Sequence, residues 1–83
     1  MIQKRRQETE LALLMVNNMA SVMQREQERR SLGKVEFAKL CGITAPSYLS
    51  ILDGKANPTL FMVARISMHS GLTVHELLHG YKR

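Results

Sequence analysis

The stretch GKVEFAKLCGITAPSYLSILDGK, residues Gly33–Lys55, predicts two short helices joined by a tight turn. Gly42 stands between the helices, and glycine readily takes the left-handed backbone that ends a helix. Thr44 can cap the second helix through its hydroxyl, and Pro46 falls in the first turn of that helix, where a missing N–H costs little. The apolar residues are spaced to bury one shared wedge: Phe37, Cys41, Ile43, Tyr48, Ile51 and Leu52. Ala38 is small enough to let the two helices touch, so a closely packed pair is expected.

A long helix is predicted before this pair, over residues 8–30, because neither proline nor glycine interrupts that stretch. Residues 1–7 are polar and are expected to be flexible. The apolar residues of the long helix form two neighbouring stripes. One stripe consists of Leu13, Val16, Ala20 and Met23, and the other consists of Leu11, Leu14, Met15 and Val22. One stripe is enough to cover the domain's own core, and the apolar surplus at Leu11–Met15 exceeds what a small core needs on one face.

Two further helices are predicted after the pair, so the expected fold is all-α, with five helices in a single domain spanning residues 1–83. Thr59 can cap a fourth helix that runs to about Ser70. Three side chains of that helix are expected to face inward: Leu60, Val63 and Ile66. Thr73 can cap a short fifth helix, Val74–His79. No segment alternates between apolar and polar residues, and no sheet is expected.

The charge of the chain favours an acidic partner. Lys and Arg number 12 against 7 Asp and Glu, which gives a net charge of +5. Such an excess suits a polyanion or an acidic surface.

Cys41 is the only cysteine, so neither an internal disulfide nor a thiolate metal cluster is possible. The apolar run Leu11–Val16 is too short to be a signal sequence or to span a bilayer. A cytoplasmic protein without membrane contact is therefore expected.

With these elements in place, Ser31–Gly80 resembles the phage repressor and Cro (Xre-type) helix-turn-helix family. The resemblance rests on SLGKVEFAKLCGI, TAPSYLSILDGK, ANPTLFMVARIS and GLTVHELLHG, with the family's Gly-Lys and Asn-Pro at Gly54-Lys55 and Asn57-Pro58. It implies a lambda-repressor-like DNA-binding domain, here with an extended first helix. It also implies a sequence-specific regulator of transcription that binds double-stranded DNA as a homodimer on a palindromic operator. No cofactor is implied, and the bound protein would be nucleoid-associated.

By this resemblance the helix that begins at Ala45 enters the major groove. The residues that share its outer side, and would face bases, are Ala45, Pro46, Ser47, Leu49 and Ser50. The residues that would bind phosphate are Lys34, Thr44, Lys55 and Asn57. The base-facing set contains no Arg, Lys, Asn or Gln, the residues suited to bidentate base recognition. Modest direct readout, supplemented by DNA shape, is therefore expected.

Symmetric pairing would let two copies read the two halves of one palindrome. Two surfaces are candidates for the dimer interface. One is the surplus stripe of the first helix, and the other is the fifth helix with the residue that follows it. The predicted interface residues are Leu11, Leu14, Met15, Leu77, Leu78 and Tyr81.

Two alternatives accompany this interpretation. The weakly polar outer side of the helix at Ala45 also suits a protein-interaction module on the same fold, such as an antitoxin or an adapter that binds a regulatory protein. Separately, His75–His79 spells H-E-x-x-H, the signature of zinc hydrolases. The helix that carries it is expected to be under two turns long and is followed by only four residues, which leaves no room for a substrate cleft. We therefore expect neither a metal site nor an enzyme.

Overall fold

Five helices form the regular structure of the chain. The computed structural model describes residues 2–80, with side chains from Arg6 onward. The helices are α1 (Ile2–Arg29), α2 (Lys34–Leu40), α3 (Ala45–Leu52), α4 (Leu60–Ser70) and α5 (Val74–His79). Residues 2–80 contain no strand, so the all-α prediction is confirmed. The bounds of α3, α4 and α5 agree with the prediction, whereas α1 begins at Ile2, well before the predicted start at residue 8.

Threonine caps explain why three of these helices begin where they do. In α3, α4 and α5 the capping residues are Thr44, Thr59 and Thr73, and each Oγ1 accepts a hydrogen bond from the backbone N–H three residues later, at 3.0–3.2 Å. In α2 the capping residue is the donor instead: the backbone N–H of Gly33 donates to Oε1 of Glu36, three residues later, at 2.8 Å. These bonds satisfy N–H groups that a helix leaves without internal partners.

The core forms where the second half of α1 meets the other four helices. Its buried side chains are Met19, Val22, Met23, Phe37, Ala38, Cys41, Tyr48, Ile51, Val63, Ile66, Leu72 and Leu77. The predicted wedge is present: four of its six residues are in this cluster, while Ile43 and Leu52 are half-buried against it. The rings of Phe37 and Tyr48 pack with centroids 5.4 Å apart, which locks α2 against α3.

One inward prediction is wrong, and it concerns a residue beyond the edge of the core. Leu60 was expected to face inward but is 84% exposed, because it begins α4 in a turn that extends past the buried cluster. The core takes side chains from both predicted stripes of α1, because Val16, Met23 and Val22 are buried, whereas Leu13 is 46% exposed. It belongs to the first half of α1, where every side chain from Arg6 to Leu14 is exposed.

A buried carboxylate ties the end of α1 to the end of α4. Glu26 is 6% exposed and accepts hydrogen bonds from both Arg29 and Arg30. Arg30 in turn donates to the backbone carbonyl of Ser70 at 2.8 Å.

No helix within residues 2–80 combines the length and the hydropathy that a membrane span requires.

Candidate functional site

The inner side of α3 is anchored firmly to the core. Tyr48 and Ile51 are fully buried, and the hydroxyl of Tyr48 donates to Oε1 of Gln27 on α1 at 2.7 Å. Burial raises the pKa of Tyr48 to about 12, so the phenol stays protonated and keeps this hydrogen bond at neutral pH. The anchor fixes the rotation of α3 about its own axis and therefore decides which side chains point away from the core.

The five predicted base-facing residues do share the solvent side of α3. Pro46 and Leu49 are exposed, and Ala45, Ser47 and Ser50 are half-buried at its edges. The chemistry of this side is two serine hydroxyls among small or apolar groups, which can make single hydrogen bonds and van der Waals contacts.

Thr44 is exposed and caps α3. Its Oγ1 accepts from the N–H of Ser47 at 3.2 Å and donates its own proton to Oγ of Ser47 at 2.9 Å. Because Ser47 Oγ accepts in this bond, its own hydroxyl proton can be donated to another group. Of this pair, Ser47 is thus the better placed to donate outward.

One side of α3 borders a cleft that contains two of the predicted phosphate-binding residues. We call it the Lys55 cleft, and it is lined by Ser47, Ser50, Lys55, Ala56, Asn57, Pro58 and Met62. The exposed side chains of Lys55 and Asn57 therefore lie beside the two serines of α3. Lys34 is also exposed, but it begins α2 and lines neither this cleft nor the next.

The other side of α3 borders a second cleft, between the α2–α3 turn and the start of α4. We call it the Arg65 cleft, and it is lined by Lys39, Gly42, Ile43, Thr44, Ser47, Thr59, Phe61, Met62 and Arg65. Cγ and Cδ of Arg65 lie 3.2 Å from the position that a Cβ on Gly42 would take, so this side chain crosses the turn. Within residues 6–80, neither Lys39 nor Arg65 belongs to an ion pair. Two cations therefore face this cleft without a neutralising carboxylate.

Sequence reasoning missed Arg65 and did not include Lys39 in the site. Arg65 is separated from α3 along the chain and reaches it only because α4 packs beside the turn. Spacing within one helix carries no signal of such a contact. A second feature that the sequence did not reveal is Phe61, whose ring is 85% exposed at the edge of the same cleft.

The H-E-x-x-H residues have a structural explanation. Oε1 of Glu76 accepts from the N–H of Thr73 at 2.9 Å and from its hydroxyl at 3.1 Å, which completes a capping box at the start of α5. His75 and His79 stack with ring centroids 4.7 Å apart. The part of the chain described holds no group of three or more His, Cys, Asp or Glu side chains that could hold a metal ion.

The predicted dimer residues divide into two groups. Leu11 and Leu14 are exposed and Met15 is half-buried, so all three can meet a partner. Leu77 is completely buried in the core of its own chain, so its assignment to an interface is wrong. The cause is the packing of α5 on α1, where Nδ2 of Asn18 also donates to the carbonyl of Leu78 at 2.9 Å.

Leu78 is half-buried against the same core, and the predicted interface residue Tyr81 lies outside the described residues.

Comparison with protein-family models, with curated proteins and with solved structures gave no match to this chain.

Proposed function

We propose that this chain is a sequence-specific double-stranded-DNA-binding regulator of transcription with a lambda-repressor-like fold, in which α2 and α3 form the helix-turn-helix. The observation that carries the proposal is the arrangement around α3. Pro46 and Leu49 are exposed on its outer side, and a cation-bearing cleft borders it on each side. A helix in the major groove has a phosphate backbone on either side, so cations are needed on both flanks.

Phosphate contacts would supply most of the affinity. On one flank Lys55 and Asn57 are available, and on the other Lys39 and Arg65. Electrostatic contacts of this kind hold the protein in register on the duplex but carry no sequence information.

Base contacts would be few. Ser47 and Ser50 can each form single hydrogen bonds to base edges, and Pro46 and Leu49 can touch thymine methyl groups. Because bidentate partners are missing from α3, part of the specificity would come from the shape of the operator. Two copies of the chain on a palindrome would double the small number of base contacts. Such a regulator would act in the cytoplasm, on the nucleoid.

A selection for bound duplexes from a random-sequence pool tests the proposal. We expect enrichment of one palindromic sequence whose half-sites are a helical turn apart. Recovery of no enriched sequence would reject a sequence-specific regulator.

Two variants test the assigned roles. Ser50→Ala should relax the preference at one base position in each half-site, with the fold unchanged, because it removes one hydrogen bond to a base. Lys55→Ala should weaken binding to all sequences about equally, because it removes a phosphate contact. A changed base preference in Lys55→Ala would contradict the division between base-facing and phosphate-binding residues.

The second candidate, a protein-interaction module on the same fold, is favoured by the apolar groups around α3. Leu49 is 43% exposed and Phe61 is 85% exposed. The test is co-expression with a candidate regulatory protein. If that protein binds the chain stoichiometrically, and if Leu49→Asp abolishes the binding while Lys55→Ala leaves it unchanged, protein interaction would be favoured over DNA binding.

A further inference from the structure

A third cleft lies at the end of α1, away from α3. We call it the arginine cleft, because Arg25, Arg29 and Arg30 line it. The turn between α4 and α5 also lines it, through Gly71 and Leu72. It shares no lining residue with either of the clefts beside α3. The arginine cleft is therefore a separate candidate site.

The length of α4 separates this cleft from the surface proposed for DNA. Thr59, which caps the start of α4, lines a cleft beside α3, whereas Ser70, the last residue of α4, lines the arginine cleft. A helix of 11 residues is about 16 Å long at about 1.5 Å per residue. The three arginines are therefore not part of the set proposed above to bind phosphate on the flanks of α3.

More arginine lines the cleft than its carboxylates require. Against the three arginines stand two carboxylates, Glu26 and Glu76, so the charges of the lining sum to +1. Glu26 accepts hydrogen bonds from both Arg29 and Arg30, although one guanidinium would neutralise it. Pairing within the cleft therefore leaves an excess of positive charge, which favours an anion.

Glu26 also fixes the orientation of two of these arginines. Arg29 pairs with it through Nε and Nη2. Arg30 donates from Nε to Glu26 at 2.7 Å and from Nη2 to the carbonyl of Ser70 at 2.8 Å. A guanidinium carries five N–H groups in one plane, and these bonds use two of the five on Arg30, whose side chain is 32% exposed. Because this plane is already held, Arg30 can donate to a ligand with little further loss of side-chain entropy.

We propose that the arginine cleft binds a small molecule that carries a carboxylate or a phosphate group. Either group presents two oxygens to the fork of a guanidinium and pairs with it through two charge-assisted hydrogen bonds. The cleft measures about 600 Å³, within the range of about 300–1,000 Å³ that is typical of small-molecule sites.

The turn between α4 and α5 leaves space for the rest of the ligand. No atom lies within 4 Å of the position that a Cβ on Gly71 would take. The uncharged part of the ligand would lie along Gly71 and Leu72, with the anionic group at the arginines. Because neither α3 nor the clefts beside it take part, this site is independent of the proposed function.

NMR titration of the isotope-labelled chain with inorganic phosphate and, separately, with succinate tests the proposal, at an ionic strength held constant with sodium chloride. We expect the backbone N–H signals of Gly71 and Leu72 and the Nε–H signals of the three arginines to shift and to saturate at millimolar concentration with at least one of the two anions. The anion that saturates at the lower concentration identifies the group that the ligand carries. Shifts that saturate with neither anion would overturn the proposal.

Arg29→Gln, with Arg6→Gln as its matched control, tests the residues. Both changes remove one positive charge from an exposed side chain, and Arg30 remains to pair with Glu26, so neither should unfold the chain. Arg29→Gln should weaken anion binding at least about tenfold, because it removes a charge-assisted pair of hydrogen bonds. Arg6→Gln should bind like the natural chain, since Arg6 lines none of the three clefts.

Arg25→Gln is a second variant, which leaves both hydrogen-bond donors of Glu26 in place, and it should act in the same direction as Arg29→Gln. Unchanged affinity in both Arg25→Gln and Arg29→Gln would overturn the proposal. Equal weakening in Arg6→Gln would also overturn it, because the anion would then respond only to the net charge of the chain.

Discussion

At the scale of single residues, Glu26 shows how a buried charge is retained. Hydrogen bonds from Arg29 are the largest cause of its lowered pKa, and those from Arg30 add to them. Together they outweigh burial, which acts in the opposite direction, and the pKa is lowered to about 2. Arg30 also donates a hydrogen bond to the carbonyl of Ser70. Through Arg30, the ionised carboxylate of Glu26 therefore holds the end of α1 and the end of α4 together.

We expect the free energy of unfolding to fall as the pH drops from about 4.5 toward 2. Because the pKa of folded Glu26 is lower than that of the unfolded chain, its stabilising contribution is complete above the unfolded value. It is lost as the pH falls through the folded value. The loss should be on the order of 2 kcal/mol, less than the full shift implies, since Arg29 is largely in water.

Urea unfolding followed between pH 7 and pH 2 measures this loss. Glu26→Gln is the control, because it cannot ionise, and its stability should vary less over the same interval. Equal pH dependence in both proteins would show that Glu26 does not carry the effect.

At the scale of elements, the turn between α2 and α3 depends on the backbone of Gly42. Its φ of +78° lies in the left-handed region. The turn is closed by hydrogen bonds from the N–H of Gly42 to the carbonyl of Lys39 and from the N–H of Ile43 to the carbonyl of Ala38, both at 3.0 Å. A Cβ at residue 42 would also lie 3.1–3.2 Å from the side chains of His69 and Arg65.

Gly42→Ala should therefore destabilise the chain by about 1–2 kcal/mol from the left-handed backbone, with a further loss from displacing Arg65. Gly71→Ala is the matched control, since its φ is +82° but no atom lies within 4 Å of the added Cβ. In thermal unfolding, the melting temperature should be highest for the natural chain, lower for Gly71→Ala and lowest for Gly42→Ala. Equal stability of the two variants would mean that the side chains over the turn move aside without cost.

Local signals account for what the sequence predicted about these elements. A threonine cap and a following glycine or turn bracket α3, α4 and α5, and their predicted bounds agree with the structure. No comparable cap marks the start of α1, and its beginning was placed too late. Leu60 and Leu77 were misassigned for a different reason. Periodicity indicates that a residue belongs to an apolar face but not where the core beneath that face ends.

At the scale of the whole molecule, the positions of the basic residues around α3 matter more for the proposed DNA binding than the net charge of the chain. The residues predicted for the site on α3 and its loops lie within one continuous segment, and four of them, Ser47, Ser50, Lys55 and Asn57, line one cleft. The Arg65 cleft could not be predicted, because it joins residues from α2, α4 and the turn between α2 and α3. Its cations extend the basic surface to the second flank of α3.

The dependence of DNA affinity on salt distinguishes cations that meet phosphate from cations that are only solvated. Each phosphate contact contributes about −0.9 to the slope of log affinity against log salt concentration. Arg65→Ala should therefore make the slope less negative by about 0.9 for each bound copy, and Lys55→Ala should do the same on the other flank. Arg6→Ala is the control, because Arg6 is exposed but lines neither of the two clefts beside α3. If Arg65→Ala matched Arg6→Ala while Lys55→Ala changed the slope, phosphate would be contacted on one flank of α3 only. The duplex would then cross α3 obliquely, with the Arg65 cleft and Phe61 left free for another partner.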